Sequence, residues 1–228
     1  MIQKDTGSIS ALRLIRLAKE ADISRLALSQ AIAQIYGVAE FIDRRVAISI
    51  RTGIILQWET FYKDYFGLVV NLSFVKIPIH RIGFERIIIM LEQLSTDDII
   101  TVHPRIIPTK KLEYTASDNI YIRPRTDYAI RVRNSIFPDR NLHGLSANNV
   151  HELKVRSMTL GERLIFGLKL FHETGRHLDT STFTLCSGSR YTDDTTVPRV
   201  YFHNGHVVIG YQKVRVKDKK AGAREVIL

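Results

Sequence analysis

Two histidines three positions apart, His203 and His206, are the residues whose type and spacing first suggest chemistry. They lie in the stretch YFHNGHVVIGYQK, residues 201–213. Paired imidazoles can bind a metal ion, but a zinc site in a protein needs three or four ligands. No cysteine or carboxylate stands nearby in the sequence to complete such a set. We therefore predict neither a metal nor a cofactor here.

A second pattern resembles the catalytic spacing of some nucleases. Pro138-Asp139 followed by Glu152-x-Lys154 matches the loose PD…(D/E)xK motif. In that motif two carboxylates hold Mg²⁺ and a lysine steadies the attacking water. An E-x-K triplet is common by chance in a charged chain, and a solvated edge strand explains it more simply. We expect no enzymatic activity and keep the nuclease as a lesser alternative.

The single cysteine, Cys186, is a weak candidate for a nucleophile. It falls within an apolar strand pattern, where a small buried residue is the usual occupant. One cysteine allows no internal disulfide, which fits a reducing, intracellular setting, and we expect a cytoplasmic protein. The N-terminal stretch MIQKDTGSIS lacks the apolar core of a signal peptide.

The residues around the histidines predict a β-hairpin. Asn204-Gly205 favours a type I′ turn, which needs positive φ at both central positions. Strand alternation then divides the side chains between two faces. The apolar face is predicted to carry Val200, Phe202, Val207, Ile209 and Tyr211. The polar face is predicted to carry Arg199, Tyr201, His203, His206, Val208 and, further along, Gln212. A face that mixes Arg, Tyr and His is typical of recognition surfaces, although a merely solvated sheet face fits too.

A lysine-rich stretch, KVRVKDKK, follows the hairpin. The alternation changes parity there, so we predict a bulge or turn near Gln212-Lys213. Lys213, Arg215 and Lys217 would then share one side of a ribbon. Such a ribbon could bind anions, or it could be an edge strand guarded by lysines.

The elements that must position these residues indicate an α+β protein in three parts. Residues 1–66 are read as a helical segment and 67–149 as a β-rich region with one helix, about 84–94. Residues 150–228 are read as a ligand-binding α+β domain. The polar loop 139–149 marks the second boundary. The helical segment could pack on the rest of the chain or on its copy in a homo-oligomer.

The third part has the clearest pattern. VHELKVRSM is predicted as a strand, and TFTLC, residues 182–186, as another. Between them, Thr159 and Glu162 form a capping box for a helix with Leu164, Leu168 and Phe171 on its buried stripe. Gly175 is placed to end that helix.

The net charge of +10 favours anionic partners such as nucleic acid. The basic excess rises from two in residues 1–66 to three in 67–150 and five in 151–228. A helix-turn-helix over residues 30–46 is a further possibility. Its second helix would bury Asp43, however, so an amphipathic packing helix is the better interpretation. Nucleic-acid binding through the basic C-terminal third remains the main alternative function.

Four stretches in order suggest a family. They are TLGERLIFGLKLFHETGRHLD (159–179), TLCSGSRY (184–191), VPRVYFHNGHVVIGY (197–211) and GARE (222–225). Together they resemble the C-terminal C-type-lectin-like domain of the variable proteins of diversity-generating retroelements. The resemblance covers about residues 150–228. Two departures are DDTT, where the family has a tight Asp-Gly-type turn, and the lysine-rich stretch 212–221.

The resemblance implies a helix, a small twisted sheet and a closing C-terminal strand. It also implies a binding module that meets a macromolecular ligand through exposed side chains, which mutagenic retrotranscription diversifies. Carried over by position, the exposed set adds one residue to the polar face of the hairpin and reads Tyr191, Arg199, Tyr201, His203, His206, Val208 and Gln212. We expect Tyr201 and Arg199 to supply most of the affinity for the ligand.

Overall fold

The structure is a computed structural model that describes residues 44–102, 105–108, 123–191 and 195–228. The chain divides into two units, Met1–Trp58 and Glu59–Leu228. Helices and sheets are both present, so the α+β class is confirmed. The two helices predicted within residues 9–37, and most of the helix-turn-helix candidate, lie outside the described residues.

Four helices and seven strands make up the described part of the chain. The helices are α1 (Arg44–Phe66), α2 (Thr96–Val102), α3 (Ala147–Glu152) and α4 (Leu160–Thr174), with a 3-10 turn at Arg140–Leu142. The strands are β1 (Arg86–Met90), β2 (Ile106–Pro108), β3 (Tyr128–Val132), β4 (Phe183–Leu185), β5 (Thr196–His203), β6 (His206–Lys213) and β7 (Ala221–Gly222). An antiparallel pair joins β1 to β3, and a five-stranded sheet has the order β2-β6-β5-β4-β7.

Helix α4 is the central helix of the second unit, and its predicted ends are confirmed. Thr159 and Glu162 form the capping box, and Gly175 ends the helix with a φ of +67°. Glu162 is fully buried and accepts hydrogen bonds from Arg123 and from the Tyr128 hydroxyl. The helix buries residues all around its first two turns rather than on a single stripe, because other elements surround it.

The predicted helix over 84–94 is wrong, since residues 86–90 form strand β1. Ile87, Ile88 and Ile89 are β-branched, and β1 pairs with β3 in register, Ile88 opposite Ile130. A run of β-branched residues favours a strand once a partner strand is available. The local helical spacing was therefore overridden by a pairing forty residues away in the chain.

Two predicted strands are also wrong. The stretch 150–158 begins inside helix α3, which starts because the Ser146 side chain caps it by accepting from Asn149 N. The stretch GLVVNLSFVKIPI, residues 67–79, was expected to contribute β structure to the β-rich region, but it contains no strand. No strand of the described residues pairs with it. Residues 44–66, which belong to the predicted helical segment, form helix α1.

The loop 139–149 lies inside the second unit rather than at a boundary. Asp139 is buried and accepts from Glu225 N at 2.7 Å. The C-terminal residues close the fold, since Ile227 bridges to Arg131 and Glu225 bridges to Ser157. Residues from both sides of the predicted boundary therefore build one body.

A buried ionic cluster holds helix, sheet and C-terminus together. The Asp179 carboxylate accepts from Arg163 at 2.8 Å, from Arg224 at 2.7 Å and from the Thr184 hydroxyl at 2.6 Å. All of these groups are at most 2% exposed. Burial alone would raise the pKa of Asp179, but Arg224 and Arg163 hold it below its usual value.

Asp179→Asn should lower the free energy of unfolding by about 3–5 kcal/mol, because it leaves two buried guanidinium groups facing a neutral amide. Since the folded pKa of Asp179 is lowered, its contribution is present at neutral pH and is lost as pH falls through that folded value. Urea denaturation measures the difference. The exposed Asp97→Asn is the control and should change stability little. Equal losses in the two variants would contradict the importance of this cluster.

Candidate functional site

The hairpin that carries the predicted site forms with the expected register. Asn204 and Gly205 have φ of +47° and +79°, as the two-residue turn requires. His203 pairs with His206, Tyr201 with Val208 and Arg199 with Gly210. The division of side chains between two faces therefore holds through most of the hairpin.

The apolar face lies toward the buried ionic cluster. Val200 and Ile209 are a cross-strand pair and both are fully buried. Val200 also pairs with Thr184, whose hydroxyl donates to Asp179. Nearer the turn, the Phe202 ring stacks on His177 with centroids 3.7 Å apart. The backbone of the hairpin is thus supported from behind by the core.

The opposite face is partly covered, which alternation alone does not predict. A second apolar cluster there consists of Ala147, Phe183, Leu185, Val197 and Ala221. Tyr201 packs against this cluster and is half-buried. Helix α3 covers this part of the face with Ala147, and side chains of the neighbouring strands β4 and β7 pack beside Val197, so the polar face is most exposed toward the turn.

Arg199 is the most unusual group on this face. Its guanidinium lies over the Phe183 ring at 5.3 Å and over the Tyr201 ring at 5.7 Å. Its Nε is buried and makes no hydrogen bond, and the described residues supply no carboxylate to the side chain. A guanidinium beside two rings, with no counterion among the described residues, can bind an acidic or carbonyl group of a partner. Phe183 was missed from the sequence as part of the site, although its place in the TFTLC strand was predicted.

The histidines occupy the end of the hairpin. His203 is exposed, and its ring centroid lies 6.5 Å from that of Tyr201. His206 is half-buried, and its Nδ1 lies 2.8 Å from the Asn204 carbonyl oxygen. Val208 is half-buried beside them. We call the five residues of this face that retain exposure the hairpin surface: Arg199, Tyr201, His203, His206 and Val208.

Three predicted exposures are wrong. Tyr191 is only 7% exposed, and its hydroxyl donates to the Gly210 carbonyl at 3.2 Å. Gln212 is also 7% exposed and donates to the Val216 carbonyl. Tyr211, predicted to be inside, is 44% exposed. Near the base of the hairpin, turns fold over the polar face, so Tyr191 and Gln212 serve the structure rather than a ligand.

The lysine-rich stretch is a chain of turns, so the predicted ribbon is wrong. Strand β6 ends at Lys213, and Val216 N donates back to the Lys213 carbonyl. The predicted break near Gln212-Lys213 is confirmed as a turn. We call residues 213–220 the basic segment, in which five cations are exposed: Lys213, Arg215, Lys217, Lys219 and Lys220.

The described residues are not arranged as the catalytic alternatives require. Among the described residues no group of three His, Cys, Asp or Glu side chains is arranged to hold a metal ion. Asp139 is committed to Arg133 and to Glu225 N. Glu152 lies on helix α3 instead of the strand that the nuclease motif needs, and its carboxylate accepts from Asn149.

Cys186 is fully buried, as expected. Burial raises the pKa of its thiol far above the usual value, so almost no thiolate forms at neutral pH. The Ser-Gly-Ser turn that follows is also structural. A Cβ on Gly188 would lie 2.4 Å from the Ser157 carbonyl oxygen, so only glycine fits there.

Comparisons with known protein families, with curated proteins and with solved structures found no match to this chain. No helix in the described residues combines the length and apolarity needed to cross a membrane. The assignment of the site therefore depends on its own geometry.

The folded protein should resist thiol reagents, because Cys186 is both buried and protonated. We expect an aromatic disulfide reagent at pH 8 to react at least about 100-fold more slowly with the folded chain than with the chain in urea. The unfolded control should release one equivalent per chain. Rapid reaction of the folded protein would reopen the question of a nucleophile.

Proposed function

We propose that this protein is a binding module that recognises a macromolecular ligand through the hairpin surface and catalyses no reaction. The observation that carries the proposal is Arg199, whose guanidinium lies near two aromatic rings and whose buried Nε has no hydrogen-bond partner within the described residues. Such a cation gains most when a partner supplies the missing acceptor in a site already shielded from water.

The surrounding residues suit the same role. Tyr201 is held by the apolar cluster, so little side-chain entropy is lost when a ligand contacts it. His203 and His206 add polar groups at the free end, where the turn leaves them accessible. Protein-binding surfaces commonly combine a rigid aromatic residue and an arginine at the centre with polar residues at the rim.

The resemblance to retroelement variable proteins supports this reading and extends it. A central helix, a small sheet, an exposed hairpin and a closing C-terminal segment are the parts that a C-type-lectin-like domain requires. On this proposal residues 150–228 belong to such a domain, and the diversified positions are those of the hairpin surface. Tyr191 and Gln212 drop out of that set because they are buried.

Peptide selection tests the proposed surface without a known ligand. A random peptide library displayed on phage is selected on the immobilised full chain, and the enriched peptides are titrated against variants. Arg199→Gln should weaken binding at least about 10-fold, because the partner's acceptor loses its charged donor. Thermal unfolding should stay close to wild type, since within the described residues the Arg199 Nε has no hydrogen bond to lose.

Arg215→Gln is the matched control, because it removes the same charge from an exposed site in the basic segment. Peptides weakened equally by both changes would indicate attraction to net charge. Peptides unaffected by Arg199→Gln would contradict the proposed site. The proposed membership of a retroelement has a separate test in the neighbouring genomic region. It predicts a reverse transcriptase gene there, together with an imperfect copy of the segment that encodes residues 190–225.

Nucleic-acid binding is the second candidate function, and the basic segment favours it. Five exposed cations stand in eight residues with Asp218 as the only acid. Asp218 accepts from the Lys220 backbone N–H, and its single negative charge offsets only one of the five cations. Clustered cations on a turn can contact phosphates without reading sequence.

Binding of a labelled oligonucleotide at two salt concentrations tests this alternative. Four phosphate contacts would lower the affinity roughly 100-fold between about 50 and 200 mM salt. Lys217→Gln with Lys219→Gln should then reduce the salt slope by about two, while the exposed Lys63→Gln should leave it unchanged. Absence of binding at low salt would remove nucleic acid from consideration.

A further inference from the structure

An apolar arm leads from helix α1 to strand β1, and it is independent of the hairpin surface. Between residues 69 and 82 it displays Val69, Phe74, Ile79 and Ile82, which are 80–88% exposed. Isolated apolar side chains on a surface are ordinary, but several large ones on one short segment usually mark an interface. We define the arm as residues 67–83.

The arm has a fixed conformation in spite of this exposure. Leu72 and Val75 are buried, and Leu72 N donates to the Glu59 carboxylate at 2.9 Å. Further along, Arg131 Nε donates to the Pro78 carbonyl at 2.6 Å. The backbone that carries the exposed side chains is therefore anchored at several points, which lowers the entropic cost of binding a partner.

Charge indicates which partner the arm fits. The arm contains no acid, and Arg81 is paired with Glu225 at 3.7 Å, so Lys76 is its main uncompensated charge. The whole chain carries +10, so two copies repel one another wherever charged surfaces meet. This largely uncharged segment is a place where copies can meet with little repulsion, and an acidic partner would find little on it to bind.

The exposed area is also appropriate for self-association. Each of the four side chains offers roughly 100–200 Å² to a partner, so an interface that contacts all four takes about 500 Å² from each copy. A symmetric contact uses the same patch twice and would bury about 1,000 Å², near the lower limit for a specific interface. The backbone N–H groups of Val69, Val70 and Ile79 make no hydrogen bond within the described residues, so two arms could add a few backbone bonds.

We infer that the arm is a homotypic interface, through which this chain associates with a second copy of itself. The full-length chain should sediment at a mass at least twice that of one chain at micromolar concentration. Phe74→Asp with Ile79→Asp should raise the dissociation constant at least about 100-fold, because each contact would then bury unpaired carboxylates. That variant should sediment as a single chain.

Leu153→Asp is the control, since Leu153 is 56% exposed on the surface after helix α3. It should leave the mass unchanged. Thermal unfolding verifies that each variant is folded. Should the first pair fail to fold, Val69→Lys with Ile82→Lys changes the other two exposed positions and should have the same effect. A monomeric wild type overturns the inference, as does an oligomer that either folded arm variant leaves intact.

Discussion

The carboxylate of Asp179 faces two guanidinium groups in a place where none of the three would be tolerated alone. Arg163 comes from helix α4 and Arg224 from the C-terminal segment, and both are nearly inaccessible to water. Burying a charge is costly unless it is paired and hydrogen-bonded, so each side chain fixes the others. Arg224 also donates to the carbonyls of Ser135 and Ile136, which brings in the chain before Asp139.

Asp179 also positions the hairpin. Asp179 has a φ of +57°, and in this conformation its carbonyl accepts from Phe202 N at 3.2 Å. The Phe202 ring then stacks on His177, which stacks on Phe171 of helix α4 with centroids 4.5 Å apart. A hairpin held at one strand by a core carbonyl and at one ring by a stack keeps its backbone in place. The hairpin surface, on the opposite face of the same strands, is therefore carried by a fixed backbone.

Local chemistry allowed part of this to be predicted. Asn204-Gly205 fixed the hairpin and its register, and Thr159, Glu162 and Gly175 fixed helix α4, because turns and caps are decided by adjacent residues. The strand β1 and the cover over Tyr201 depend on partners distant in the chain, and no spacing within one segment reveals them. The predicted exposures of Tyr211 and Gln212 were wrong for the same reason. Alternation assigns side chains to the two faces of a strand, but it does not say what covers each face.

The partial cover limits which positions of the hairpin could vary without loss of fold. Val200 and Ile209 face the core, so substitutions there would open cavities or force overpacking. On the hairpin surface, Tyr201 rests on the second apolar cluster and would lose packing if replaced. His203 lies exposed at the turn, and His206 and Val208 follow it on the adjacent strand. Sequence variation without loss of fold is therefore easiest at these three positions, whereas replacing Tyr201 would change both a ligand contact and the packing on the second apolar cluster.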